Sequence, residues 1–128
     1  MGRKLHKNLN FINIITGLDH IIKVVGEVPC RLAVQFFDAG GYSAVQIKTF
    51  FFQEIIQRGI LFNGYFSPSF SHGDKEIKYT AKAWEQAARI LKENLNNGTL
   101  KNKLKGVPLK PVFRKYLLFP ALICFLYL

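Results

Sequence analysis

One stretch of the chain constrains the fold more than any other, because it repeats apolar residues at helical spacing over more than twenty positions. From Asp74 to Asn96, apolar side chains recur at intervals of four, three, four, three and four. They are Ile77, Ala81, Trp84, Ala88, Leu91 and Leu95. This pattern predicts a long amphipathic helix that presents one continuous stripe to a core.

Two shorter segments have the same helical character. Residues 3–16 place Leu5, Leu9, Ile12 and Ile15 at spacings of four and three, and Ser43 to Arg58 forms the second segment. Both predict helices that bury one side. Trp84 and the run Phe50 to Phe52 fall within such stripes, so we assign them to the core.

Strand-like runs lie between the predicted helices. Ile21 to Gly26 and Cys30 to Phe37 are rich in β-branched and apolar residues, and Ile60 to Phe62 is a short third run. The order helix, strand, strand, helix, strand, helix predicts an α/β fold. We expect a two-layer sandwich with a short, mainly antiparallel sheet and helices on one face.

The net charge of +10 is unevenly distributed along the chain. Residues 8–98 hold nine Lys/Arg and all eight Asp/Glu, so the excess lies at the two ends. The basic end segments lack the interleaved aromatic residues on which bases stack, so we expect no specific nucleic-acid site. The alternative is a free-standing basic protein that binds RNA or an anionic membrane surface.

The cysteines and histidines form no metal-binding pattern. Cys30 and Cys124 are far apart, and His6, His20 and His72 have no metal-ligand spacing with them. We therefore predict no metal site and a cytoplasmic location. The glycine pair Gly40–Gly41 lacks the spacing of a phosphate-binding loop and is typical of a turn.

The last thirteen residues, Tyr116 to Leu128, are almost wholly apolar. This segment is shorter than the roughly 20 residues of a membrane-spanning helix, and Pro120 interrupts it. We expect the tail to be poorly anchored to the sheet and to promote self-association. Truncation after Tyr116 is then expected to raise solubility and to leave helix content nearly unchanged.

Several segments occur in the order of a known family. They are GEVPCRLAVQFFD, IKTFFFQEIIQRGILFNG, SFSHGDKEIKYTAKAWEQAARILKENLNNG and LKGVPLKPVFRKY. Together they resemble the C-terminal small domain of class III pyridoxal-phosphate aminotransferases, in particular the glutamate-1-semialdehyde aminomutase branch. The resemblance assigns residues 1–116 to that domain, of the type I transferase fold, and leaves the tail 117–128 outside the family pattern.

The resemblance implies amino-group transfer in a complete homodimeric enzyme that holds pyridoxal 5'-phosphate and acts on an amino or keto small molecule. The lysine and aspartate that such enzymes use to hold the cofactor belong to a large domain, for which 128 residues leave no room. We therefore expect no catalytic residue in this chain, no cofactor binding by the chain alone, and the large domain as its partner. Gly73 replaces the Thr that usually follows the turn histidine, and the acidic residue of the aminomutases ahead of this turn is missing.

The site residues that we can name lie on the substrate side of such an enzyme. The resemblance places the loop with Asn63, Ser67, Ser69 and His72 near the substrate entrance. From the residues alone, His72 is expected to bind backbone groups where the loop enters the long helix. Arg31 is a candidate for a substrate carboxylate, but its phase opposite Leu32 favours an exposed or interdomain ion pair.

Overall fold

The computed structural model describes residues 2–69 and 71–110, and these form an α/β fold with a three-stranded antiparallel sheet and helices on one face. The elements are α1 (Gly2–Ile15), β1 (Ile22–Val28), β2 (Arg31–Phe36), α2 (Ala44–Gln57), β3 (Tyr65–Phe66), α3 (Asp74–Asn97) and α4 (Leu100–Lys103). The predicted fold class and the predicted order of elements are confirmed. The expectations for the tail concern residues 116–128, which lie outside the described residues.

The sheet has the order β1-β2-β3. Val24 pairs with Val34 and Ile22 pairs with Phe36, and β3 adds Phe66 opposite Leu32. Ile22, Val24, Leu32 and Val34 are buried, whereas Lys23, Arg31 and Gln35 are exposed. One face of the sheet therefore packs on the helices and the other faces solvent.

The third strand is not where the sequence predicted it. Ile60 to Phe62 are in no strand, although Phe62 is buried and Leu61 is exposed as an alternating pattern requires. Pairing with β2 begins later, because the Val34 amide donates to the Gly64 carbonyl at 2.9 Å and Gly64 turns the chain with a φ of +100°. The burial that this apolar run predicts is therefore confirmed, whereas the prediction that it forms a strand is wrong.

Trp84 lies at the centre of the core. Its side chain is fully buried, with the Phe51 ring centroid 4.6 Å away and the rings of Phe62 and Phe66 near 6 Å. Phe50 and Phe51 are buried as well and Phe52 packs on the cluster. The assignment of these aromatic residues to the core is confirmed.

The Gly40–Gly41 pair forms a tight turn between β2 and α2. Both residues have positive φ, and Ala39 and Tyr42 exchange backbone hydrogen bonds across them. Two consecutive positive φ angles favour glycine because it has no Cβ. After the turn, Ser43 begins α2 with a capping box, in which Ser43 and Gln46 each accept from the other's backbone N–H.

None of the helices in the described part of the chain has the length and apolar character that crossing a bilayer requires.

Candidate functional site

A cleft of about 190 Å³ lies beside the loop that joins α2 to α3. Its walls combine apolar side chains with a few polar groups. The lining residues are Leu5, Ile60, Leu61, Phe66, Ser67, Pro68, His72, Glu76, Ile77 and Thr80. An apolar wall with a small number of polar groups is the usual form of a small-molecule site.

The loop is fixed to the core at several points along its length. Phe62 stacks on Phe66 with centroids 4.8 Å apart, and both rings contact Trp84. At the end of α2, the Tyr79 hydroxyl of α3 donates to the Arg58 carbonyl. Aromatic packing and contacts with α3 therefore hold the loop that forms this wall of the cleft in place.

His72 shapes the turn that leads into α3. Its Nδ1 accepts from the Ser69 backbone N–H at 3.0 Å and lies 3.1 Å from the Ser69 hydroxyl. Because a backbone N–H can only donate, Nδ1 carries no proton and the neutral ring is protonated on Nε2. The expectation that His72 binds backbone groups at the helix entrance is confirmed.

Glu76 lines the cleft and lies in the first turn of α3. The Gly73 N–H donates to Glu76 Oε2 at 2.8 Å. Hydrogen bonds from its own backbone N–H and from that of Gly73 lower the pKa of Glu76 below its ordinary value. The hydrogen bond from Gly73 links this N-cap residue to the first turn of α3, where the neighbouring carboxylate of Asp74 accepts from Lys4 Nζ at 2.6 Å.

The structure separates the predicted site residues into three groups. Ser67 and His72 line the cleft, and Ser69 contacts His72 Nδ1 without being part of the lining. Asn63 is exposed and its side-chain oxygen accepts from the Tyr65 N–H, so it supports β3 and not the cleft. Arg31 is exposed at the start of β2, away from the cleft lining, and forms no ion pair among the described residues.

Sequence reasoning missed two polar residues of the cleft, Glu76 and Thr80. They are four residues apart on α3. Residues four apart on a helix lie on one face, so this spacing was the available signal. It was overlooked because the apolar stripe of the same helix is much longer.

The cleft does not fit pyridoxal 5'-phosphate. That cofactor requires a lysine amine, an acidic partner for its ring nitrogen and a cradle for its phosphate. Within the described residues the side chains that line the cleft include no lysine and no arginine. The same part of the chain contains no cluster of three or more His, Cys, Asp or Glu that could hold a metal ion.

No family model, no curated protein and no solved structure matches this chain.

The cleft offers hydrogen-bond donors and an apolar wall. The Nε2–H of His72 and the hydroxyls of Ser67 and Thr80 can bind an oxygen of a small ligand, whereas Phe66 and Ile77 can pack on its carbon atoms. These groups can bind and orient a small ligand.

Proposed function

We propose that this chain is the C-terminal small domain of a class III aminotransferase-like enzyme that uses pyridoxal 5'-phosphate. In the complete cytoplasmic homodimer, a large domain supplies the lysine, the acidic partner and the phosphate cradle. The small domain supplies the His72 loop to the substrate side of the site. The reaction class is amino-group transfer between an amine and a carbonyl compound.

The observation that supports this proposal is the cleft formed by the His72 loop and the first turns of α3. The Ser69 hydrogen bond fixes the His72 ring and leaves its Nε2–H as the donor for a ligand. A donor beside an apolar wall suits a keto or amino acid, which carries oxygen atoms on a short carbon chain. These residues bind and orient the substrate, and the proposal assigns no bond-making step to them.

The rim of the cleft also suits a domain that closes against another. Leu61 lines the cleft and is 95% exposed, and Tyr65 of the adjacent strand is 62% exposed. Covering Leu61 alone removes a large apolar side chain from water, worth about 1.5 to 3 kcal/mol. A large domain packed on this rim would also exclude water from the cleft.

The first experiment asks whether the chain alone holds the cofactor. The protein is mixed with pyridoxal 5'-phosphate, reduced with borohydride and analysed by peptide mass spectrometry. We expect no site-specific reduced adduct on any of the thirteen lysines. A stoichiometric adduct at one lysine would contradict the proposal that the large domain supplies the lysine that binds the cofactor.

The second experiment asks whether the cleft recognises the substrate class. Levulinate, a simple keto acid, is titrated into labelled protein, and backbone amide shifts are followed by NMR. We expect shifts at Ser67, His72 and Thr80 that His72→Ala reduces, whereas the exposed control His20→Ala leaves them unchanged. If saturating levulinate shifts no amide of the loop, the cleft does not bind this class of substrate. If the DNA upstream of this coding sequence encodes no large domain, the chain is not part of such an aminotransferase.

A further inference from the structure

The outward face of α1 combines exposed apolar side chains with basic ones. Phe11, Ile14 and Ile15 have exposed fractions of 61%, 62% and 50%, although the opposite side of the same helix is buried through Leu5, Leu9, Ile12 and Asn13. Three large apolar residues in one helical turn and a half form a patch, which is different from single exposed residues scattered over a surface.

Basic residues continue this patch toward the N-terminus of α1. Arg3, Lys4 and Lys7 are exposed, and α1 contains no acidic residue. Lys7, Phe11 and Ile14 are four and three residues apart, so they lie in one row along the helix. Beside this row is a shallow groove of about 290 Å³ lined by His6, Lys7, Asn10, Phe11 and Ile14.

One acidic residue forms an ion pair with α1. Asp74 at the start of α3 is bound to Lys4, with an N–O distance of 2.6 Å. Within the described residues, Arg3 and Lys7 form no ion pair. The surface therefore presents net positive charge beside its apolar patch.

We infer that this face of α1 binds the surface of a membrane that contains anionic lipids. Apolar side chains of an interfacial helix enter the boundary between headgroups and acyl chains, and basic side chains bind the phosphates. The apolar side chains on α1 are those of Phe11, Ile14 and Ile15, and the basic side chains that can bind phosphates are those of Arg3 and Lys7. The inference is independent of the proposed function, because Leu5, the α1 residue in the lining of the cleft, is on the buried side of the helix.

The positive charge of this face of α1 favours binding to an anionic lipid surface over pairing with a second copy of the chain. If two α1 helices paired in parallel, Arg3 and Lys7 of one copy would meet the same residues of the other. If they paired antiparallel, these cations would lie against Phe11 and Ile14. Neither arrangement gives the cations an opposite charge, whereas an anionic bilayer supplies both negative charge and an apolar interior.

The test measures cosedimentation of the full chain with two kinds of vesicle. One contains phosphatidylcholine alone, and the other contains about one-third phosphatidylserine. We expect binding to the anionic vesicles, weaker binding in high salt because salt screens the basic residues, and little binding to neutral vesicles. The double variant Phe11→Glu/Ile14→Glu should bind the anionic vesicles at least about tenfold more weakly, because it loses two inserted side chains.

The matched control is Val45→Glu/Ile56→Glu, which replaces two exposed apolar residues of α2 and changes the net charge equally. We expect it to bind like the unchanged chain, and circular dichroism checks that both variants stay folded. If the α1 variant binds as well as the unchanged chain, binding comes from a part that both proteins retain, such as the apolar tail, and the inference is overturned. Absence of binding to anionic vesicles, or a dimer that dissociates only in the α1 variant, would overturn it as well.

Discussion

The side-chain amide of Asn10 pairs with both backbone groups of Val24. Asn10 Nδ2 donates to the Val24 carbonyl at 2.9 Å, and Asn10 Oδ1 accepts from the Val24 N–H at 3.1 Å. His6 Nε2 donates to the same carbonyl at 2.7 Å. The N–H and carbonyl of Val24 lie on the outer edge of β1, where no strand in the described part of the chain pairs with them. Side chains of α1 therefore satisfy the backbone groups that a fourth strand would otherwise bind.

Asn10→Ala should therefore destabilise the fold although Asn10 is only partly buried. It removes two hydrogen bonds and leaves the Val24 N–H without a partner, whereas the Val24 carbonyl keeps His6 Nε2. We expect a loss of about 1 to 3 kcal/mol in the free energy of unfolding. Urea denaturation measures this loss. The control is Asn8→Ala on the same helix, because the Asn8 side chain makes no hydrogen bond among the described residues. Equal effects of the two substitutions would show that the pairing with Val24 contributes nothing.

A second asparagine of α1 connects three parts of the core. Asn13 is 1% exposed; its Nδ2 donates to the Ile22 carbonyl at 3.0 Å, and its Oδ1 accepts from Trp84 Nε1 at 2.8 Å. Asn13→Leu should cost about 2 to 4 kcal/mol, because it leaves two buried polar groups unsatisfied. Trp84→Phe removes one of them, so the double variant should be less destabilised than the two single changes predict. Strict additivity in urea denaturation would show that the Asn13 to Trp84 hydrogen bond carries no energy.

These two asparagines mark the limit of what the sequence could predict. The long stripe of α3 fixed the helix and its buried face, because apolar periodicity reports burial directly. Residues 3–16 were predicted to form a helix that buries one side, but this pattern does not say what an asparagine on the helix binds. Whether Asn10 binds solvent or a strand edge depends on where β1 lies, which no local pattern contains.

The cleft shows the same limit. The turn residues around His72 predicted a loop that enters α3, and Ser69 and His72 form it. The third strand was misplaced because its apolar residues pack without pairing, and pairing depends on the register with β2. Local chemistry was therefore predictable at this site, whereas the contacts between distant segments that shape the cleft were not.

Gly26 is the residue at which a single added methyl group should matter most in the sheet. Gly26 and Glu27 lie opposite Leu32 alone, which makes a β-bulge between Val25 and Val28. A Cβ at Gly26 would lie 2.5 Å from the Arg31 carbonyl oxygen and 2.9 Å from Leu32 Cδ2. Gly26→Ala must displace backbone atoms, so we expect a loss of about 1 to 3 kcal/mol.

The control for this substitution is Gly106→Ala. A Cβ there would meet nothing within 4 Å, and Gly106 is not among the glycines with positive φ. We expect a change between zero and a stabilisation of about 1 kcal/mol, because alanine restricts the unfolded chain. Thermal unfolding followed by circular dichroism compares the two. A Gly26→Ala protein as stable as Gly106→Ala would mean that the bulge is not packed as described.

The start of α3 should make the stability of the fold depend on pH in the acidic range. Backbone hydrogen bonds lower the pKa of Glu76 below its ordinary value of 4.5, and the hydrogen bond from Lys4 lowers the pKa of Asp74 below 3.8. A carboxyl group with a lowered pKa in the folded state stabilises the fold above its unfolded pKa, and this contribution is lost as the pH falls through the folded value. Stability should therefore decrease below about pH 4.5.

Salt and two variants separate the two carboxylates, with urea midpoints measured as a function of pH. Glu76→Gln should flatten the acidic part of the profile equally in low and high salt, since its partners are backbone N–H groups. Asp74→Asn should flatten it mainly in low salt, because salt screens the exposed pair with Lys4. If Glu76→Gln leaves the profile of the unchanged chain intact at both salt concentrations, Glu76 does not bind the Gly73 N–H in solution.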